Sequence, residues 1–244
     1  MANLYYDSPR GGFYSQEAAD SIFTGAMARL YGWIALGVVT TGAVAWIGHQ
    51  AGFLEAILEN FGFIGYLVVL GVWLACIFGL SFAAARVAPA VAGGLYLVFT
   101  AITGLMISYI FWAYTGDTII LAFALTTGVF AVMSAIGYTT KRDLSGLGTM
   151  CFIGLIGVII AGVVNWFVGS GMLSWIITLV ALPIFLGLTV YETKQVKELA
   201  QEAAMRGDER AASQIAIMGA VGLYLVFLNL FLILLRIMDF FNSD

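Results

Sequence analysis

The sequence predicts an all-α, polytopic membrane protein with seven transmembrane helices. Hydrophobic residues make up 62% of its 244 residues and charged residues 10%, whereas soluble domains average about 45–50% and about 25%. The apolar residues gather in long runs, and the basic residues fall almost entirely in alternate connecting segments. Because so little polar surface could not cover a core in water, the composition excludes a soluble globule, a disordered chain and a nucleic-acid-binding domain.

Seven apolar runs, each close to the roughly 20 residues that a helix needs to cross a bilayer, define the predicted spans. They are continuously apolar, unlike barrel strands, which alternate every second residue. The runs cover residues 29–49, 61–83, 89–112, 118–138, 149–168, 172–193 and 214–237. The sequence therefore predicts three segments, listed in chain order: a polar, disordered or surface-lying cytoplasmic tail (1–28), a membrane domain (29–238) and a short C-terminal tail (239–244).

Two spans carry sequence features that predict how they pack or end. In the fourth, small residues recur four apart, as at Ala124 and Gly128, a spacing that allows close helix packing in membranes. The sixth is followed by good helix formers at residues 194–212. We therefore expect the sixth helix to continue past the membrane surface and to turn near Gly207.

The basic residues predict the orientation of the chain. Nine of the ten Lys and Arg residues lie in the N-terminal region or in the loops after the second, fourth and sixth spans, and only Arg236 lies at the other side. By the positive-inside rule, we expect a cytoplasmic N-terminus and an external C-terminus in a cell inner membrane.

The usual catalytic signatures are missing from the sequence. His49 is the single histidine, so a histidine-rich metal centre cannot be built. Cys76 and Cys151 lie apart in apolar runs and are interpreted as buried hydrophobic residues. Neither a GxSxG motif nor a Walker motif occurs. We therefore expect no enzymatic activity, no cofactor, no metal centre and no nucleic-acid partner.

The few polar residues within the spans are the candidate functional residues, because an ionisable group is costly in a membrane. They are Glu192 near the end of the sixth span and Tyr224 and Asn229 in the seventh. Two interpretations of Glu192 stay open at this point. It is either a gating or proton-sensing carboxylate or an interfacial carboxylate two residues before Lys194.

Three segments together resemble a known family. They are GYTTKRDLS at residues 137–145, GLTVYETK at 187–194, and the stretch from Leu223-Tyr224-Leu225 through Asn229-Leu230-Phe231 to Arg236. They resemble the bacterial branch of the Bax inhibitor family, the transmembrane Bax inhibitor motif family, and the likeness covers about residues 25–240. It implies a seven-helix fold in which the seventh helix is enclosed by the other six.

The resemblance also implies a pH-sensitive calcium leak. In that family, carboxylates on the sixth and seventh helices share a proton at the cytoplasmic side of a pore, and an arginine near the end of the second helix takes part in switching. Here Glu192 occupies the first carboxylate position and Arg86 approximately matches the arginine, but Val226 replaces the second carboxylate. Either Glu192 gates alone or with Arg86, or the pH switch is lost.

The leading expectation is therefore a cation leak channel of the inner membrane, with calcium or another cation as its cargo and membrane lipid around it. Glu192 would lie at the cytoplasmic constriction, supported by Tyr224 and Asn229. The alternative is a non-conducting regulator of other membrane proteins, such as a membrane-embedded ATP-dependent protease. Its contact surfaces would be the tail 1–28 and the helical extension 194–212.

Overall fold

A computed structural model describes residues 16–84 and 87–242 of the chain, and every regular element in these ranges is an α-helix. The helices are α1 (Gln16–Gln50), α2 (Phe53–Ala84), α3 (Pro89–Ile107), α4 (Ile110–Ala113), α5 (Gly116–Thr139), α6 (Ser145–Val168), α7 (Gly171–Met205) and α8 (Glu209–Asn242).

Within the described ranges, six helical segments are long and apolar enough to cross a membrane. They are α1, α3 together with the short α4, α5, α6, α7 and α8, and the count reaches seven if the bent helix α2 is one span. Their outer faces carry large apolar side chains, such as Phe167 and Ile160, which are 84% and 59% exposed. The predicted class of all-α, multi-pass membrane protein is confirmed.

Helix α2 begins earlier than the span predicted at residues 61–83. It is bent by 81° between an arm at Phe53–Gly65 and an arm at Leu67–Leu80. Gly62 has φ 56° and ψ −149°, a conformation that is open essentially to glycine alone. The first arm contains Glu55 and Glu59, so its polar residues explain why the apolar pattern placed the start of the span later.

Helix α1 begins much earlier than predicted. Residues 16–28, which the sequence analysis assigned to the polar tail, form the first part of this helix. Ile22, Ala26 and Met27 from this stretch are buried in the core. Their apolar side chains are spaced along one helix face, and the polar residues around them, which include Glu17 and Asp20, hid that pattern from a search for continuous apolar runs. Residues 1–15 lie outside the described residues.

The last helix, α8, is the most buried of the candidate spans. In its apolar segment, 61% is buried inside the protein, compared with 39% or less in the apolar segments of the other five helices. It packs against α7, α1, α5, α3 and α2, and Leu223, Tyr224, Leu230 and Leu235 are fully buried along it. Helix α6 packs mainly against α7, and only 11% of its apolar segment is buried.

The predicted extension of the sixth span and its turn are confirmed. Helix α7 continues to Met205, and Gly207 has φ 69° between α7 and α8. Ala200, Ala203 and Ala204 of the extension are buried. The extension lies beside the beginning of α1, with which it lines a cavity.

The small residues of α5 do not all serve helix packing. Gly128 has no neighbouring atom within 4 Å of where a Cβ would stand, and Ala124 is also on the exposed face. The residue in close contact is Gly137, which lies against the backbone carbonyl of Val190 in α7. The four-residue spacing at Ala124 and Gly128 therefore marked the outer face of the helix.

This difference predicts opposite effects for one substitution at two glycines. Gly128→Ala is expected to raise the free energy of unfolding by about 0.5–1 kcal/mol, because alanine lowers the entropy of the unfolded chain. Gly137→Ala is expected to lower it by about 1–3 kcal/mol, because the added methyl group must push α5 and α7 apart. Thermal unfolding in detergent measures both, and equal shifts of the same sign would contradict the close α5–α7 contact.

Candidate functional site

The beginning of α1, the α5–α6 loop and the α7–α8 turn meet at one end of the bundle, which we call the basic end. Phe23 of α1 stacks on Tyr138 of α5 with ring centroids 6.4 Å apart. Arg29 Nη1 donates a hydrogen bond to Ser213 Oγ of α8 at 2.8 Å, and Lys194 Nζ donates to the Arg142 carbonyl oxygen of the α5–α6 loop. These contacts hold the residues around Glu192 in place.

Glu192 lies on α7 at the interface with α8. A Cβ on Gly222 of α8 would stand only 3.1 Å from Glu192 Oε2, so the carboxylate fits against α8 because residue 222 has no side chain. In the described part of the chain, Glu192 has neither a hydrogen-bond partner nor an ion-pair partner. A partly buried carboxyl group in a membrane-spanning helix without such a partner is energetically costly.

Three cations of the basic end bind groups other than Glu192. Lys194 Nζ lies 3.4 Å from Glu198 Oε1 in addition to its bond to the loop. Lys197 Nζ donates to the Tyr138 carbonyl oxygen at 2.8 Å and lies over the Tyr138 ring. Arg29 also donates from Nε to the Gly25 carbonyl oxygen. Arg86, the predicted partner of Glu192, lies outside the described residues.

Asp143 shapes the entry into α6. Its Oδ1 accepts hydrogen bonds from the Ser145 hydroxyl at 2.6 Å and from the Ser145 N–H at 2.9 Å. These two bonds, with a smaller contribution from Lys194, hold the pKa of the Asp143 carboxyl below its usual value. The residue therefore stays ionised and fixes the loop that receives Lys194.

Beside Glu192, a chain of hydroxyl groups links three helices. Thr193 Oγ1 lies 3.1 Å from Ser134 Oγ of α5, which lies 2.7 Å from Tyr31 Oη of α1. Thr193 is fully buried and Ser134 nearly so. This polar contact fixes the face of α7 next to the carboxylate, so that Glu192 itself is directed toward α8.

The structure places Tyr224 away from Glu192. It is two residues beyond Gly222, which turns it about 200° around α8. Its hydroxyl lies 2.6 Å from Thr41 Oγ1 of α1, and Thr41 donates to the Thr100 carbonyl oxygen at 3.0 Å. Tyr96 packs edge-on against the Tyr224 ring at 5.8 Å. Tyr224 thus belongs to the contact between α1, α3 and α8.

The hydroxyl pair predicts a stability difference between two adjacent threonines. Thr41→Val is expected to lower the free energy of unfolding by about 0.6–1.7 kcal/mol, the range for interhelical hydrogen bonds in a membrane. Thr40→Val is the matched control, because the Thr40 hydroxyl bonds only to the Leu36 carbonyl oxygen of its own helix. Unfolding in detergent measures both, and a loss at Thr40 as large as the loss at Thr41 would contradict this assignment.

Asn229 and Val226 share a face of α8 with Gly222. They are seven and four residues further along, so they lie about 10 Å and about 6 Å from it along the helix axis. Val226 is buried, with 6% of its surface exposed. The Asn229 amide donates to the Leu225 carbonyl oxygen at 2.8 Å. Asn229 is therefore near the correct face but too far along it to support Glu192 directly.

A cavity of about 210 Å³ opens at the end of the bundle opposite the basic end. Asn229 and Arg236 of α8 and Thr178 and Phe185 of α7 help to line it. Arg236 Nη1 donates to Ser174 Oγ at 3.1 Å and to Thr178 Oγ1 at 3.2 Å. The arginine thus joins α8 to the first turns of α7 and makes this cavity polar.

Together these residues define what we call the α7–α8 seam. It has polar groups near both ends and an apolar middle that includes Phe185, Leu188 and Val226, each less than 9% exposed. Its full set is Ser174, Thr178, Phe185, Leu188 and Glu192 on α7 with Gly222, Val226, Asn229 and Arg236 on α8. Sequence reasoning missed Gly222 and Ser174, because nothing in the local sequence marks them as neighbours of a charged group.

The fold and the seam define a helical, multi-pass membrane protein with a partly buried carboxyl group at a helix interface, and this group has no partner among the described residues. A sequence model of the family described as "Inhibitor of apoptosis-promoting Bax1" matches residues 24–243. The chain belongs to the Bax inhibitor family, as its motifs indicated.

Several bacterial relatives resemble the chain over most of their length. It is 40% identical over 212 residues to "Inner membrane protein YbhL" of Escherichia coli (strain K12), across 86% of this chain and 89% of that protein. It is 37% identical to an uncharacterized protein of Deinococcus radiodurans, across 91% and 93% of the two chains. It is 36% identical to an uncharacterized membrane protein of Streptococcus pyogenes serotype M1, across 86% and 90%.

Proposed function

We propose that this chain is a passive cation leak pathway of the cell inner membrane, with calcium as its first candidate ion. The observation that carries the proposal is the Glu192 carboxylate, which faces α8 without a partner in the described residues. A structural carboxyl group in a membrane would be paired, whereas a site for a passing cation must keep its ligand free. Carboxylate oxygens are the ligands that calcium prefers.

The α7–α8 seam is the route we propose. Glu192 would form the constriction at one end, and the cavity at Asn229 would form an entrance at the other. Phe185, Leu188 and Val226 would block the path between them, as expected of a closed state. The Arg236 guanidinium at the entrance would lower the local concentration of cations, which suits a slow leak better than a fast channel.

The proposed topology has seven spans, with α2 crossing as a bent helix and α8 enclosed by the others. The basic end would face the cytoplasm because the elements that meet there carry most of the basic residues of the sequence. Glu192 would then lie near the cytoplasmic side. The name of the Escherichia coli relative supports an inner-membrane location.

Calcium entry into sealed proteoliposomes tests the leak directly. Vesicles with the purified chain and an internal calcium indicator are expected to fill faster than empty vesicles between pH 6 and pH 8. Entry equal to that of empty vesicles at every pH would contradict the leak. A second candidate function would then take its place.

That second function is a non-conducting regulator that binds another membrane protein. The observation in its favour is the outer face of the α7 extension, where Leu199 and Met205 are 45% and 70% exposed beside Glu198 and Glu202. Deleting the whole extension would damage the core, because its alanines are buried. The test is therefore a pull-down with the full chain as bait. A membrane protein that copurifies with the wild type should be lost from the variants Leu199→Ser and Met205→Ser.

A further inference from the structure

Another cavity lies between α1 and α5, with α8 as its floor and residues of α3 and α4 in its wall. We call it the lateral cleft. Val38 and Gly42 of α1, Phe123 of α5, and Tyr224 and Leu228 of α8 are among its lining residues, and its volume is about 210 Å³. Helices α1 and α5 touch near the basic end, through Tyr31 and Ser134 among others, and they leave the cleft further along.

The chemistry of the lateral cleft excludes water as a stable occupant. The hydroxyl groups among its lining side chains belong to Thr41 and Tyr224. They lie 2.6 Å apart and bond to each other, and Thr41 also donates to the Thr100 carbonyl oxygen. A buried water needs two to four polar partners, and apolar cavities of this kind stay dry.

The cleft opens on the outer surface of the bundle. Ile120 and Phe123 at its rim are 69% and 44% exposed. Gly42, on the opposite rim, is exposed, and no atom lies within 4 Å of where its Cβ would stand. The rim residues belong to α1 and α5, and both helices are long and apolar enough to cross a membrane. In a membrane, the surface at this depth is surrounded by hydrocarbon.

We propose that the lateral cleft binds an acyl chain of a phospholipid from the surrounding bilayer. A dry apolar cavity of about 150 Å³ is enough to bind benzene, so the cleft has room for a segment of an acyl chain. The chain would enter between Gly42 and Phe123 and end against the Tyr224–Thr41 hydroxyl pair. Lipid hydrocarbon would thereby contact the middle of α8, where Phe227, Leu228 and Phe231 are buried by the other helices.

Photocrosslinking tests the site with a defined probe. The full chain is reconstituted in phosphatidylcholine vesicles that contain a phosphatidylcholine with a diazirine at the middle of one acyl chain. After illumination, labelled peptides are identified by mass spectrometry. We expect label on α8 at Phe227, Leu228 or Phe231, which are at most 8% exposed and line the cleft. Bulk lipid cannot reach these residues, so their labelling reports the cleft.

Two tryptophan variants form a matched pair. Gly42→Trp fills the cleft from its rim and is expected to abolish the α8 label, while the label on the outer faces of α5 and α6 persists. Gly32→Trp is the control, because Gly32 is exposed on the same helix, has open space around it and does not line the cleft. Its α8 label should equal that of the wild type.

The proposal is overturned if the wild type shows no label on α8, or if Gly42→Trp keeps that label. Should Gly42→Trp fail to run as a single species in detergent, Gly42→Leu supplies a smaller side chain for the same comparison. None of these outcomes depends on ion flux. The proposal of a lipid site can therefore be confirmed or overturned independently of the proposal of a cation leak.

Discussion

Glu192→Gln is expected to reduce calcium entry into proteoliposomes by at least about tenfold. A factor of ten corresponds to about 1.4 kcal/mol, and the interaction of a carboxylate with a cation at an effective dielectric constant near 20 exceeds that value. Glutamine keeps the size and one oxygen atom of the side chain, replaces the other oxygen with an NH2 group and removes the charge. The substitution therefore tests charge at the constriction and leaves the packing against Gly222 unchanged.

Two further variants separate charge from general damage. Glu202→Gln makes the same chemical change on α7 at a surface position, where the carboxylate pairs with Arg206, and its flux should equal that of the wild type. Glu192→Asp retains the charge on a shorter side chain and should recover part of the lost flux. Unchanged flux in Glu192→Gln, measured with equal protein per vesicle, would remove Glu192 from the proposed path.

The fold class was predictable from sequence because it depends on hydropathy, which acts over whole segments. The bend of α2 was not, since it depends on the backbone conformation of one glycine, Gly62, among 29 glycines. The start of α1 was missed for another reason. Residues 16–28 bury one face and expose charges on the other, so their mean polarity resembles that of a tail.

The sequence predicted single residues of the candidate site but not which residues are neighbours. The cost of a carboxyl group in a span singled out Glu192, and its helix assignment was correct. Which residue of α8 it meets depends on the rotation and register of two helices. Tyr224 and Gly222 are two residues apart, yet one faces α1 and the other α7. No pattern in a single sequence determines that register.

Val226→Asp is expected to introduce a pH dependence of calcium entry that exceeds that of the wild type. Val226 lies one helical turn beyond Gly222 on the α8 side of the seam, so an aspartate there would stand near the Glu192 carboxylate. Two close carboxyl groups cannot both ionise cheaply and share one proton over part of the pH range. As pH rises and that proton leaves, their repulsion should separate α7 from α8.

The shared proton determines whether calcium flux rises or falls with pH. Flux through Val226→Asp should be low at pH 6, where the shared proton joins the two helices, and higher at pH 8, where both groups are charged. Val226→Asn is the matched control, because its side chain has nearly the same size and polarity but does not titrate. Calcium entry across pH 6 to 8 measures all three proteins.

Folding must be followed in the same samples, since an ionised aspartate at the centre of a membrane helix costs about 2.5–3.5 kcal/mol. If that cost dominated, the aspartate variant would lose stability as pH rises and its flux would follow the folded fraction. A pH-dependent flux in a fully folded Val226→Asp, absent from Val226→Asn, would instead place residues 192 and 226 on one path. Equal pH profiles for the two variants would mean that the seam does not join these positions.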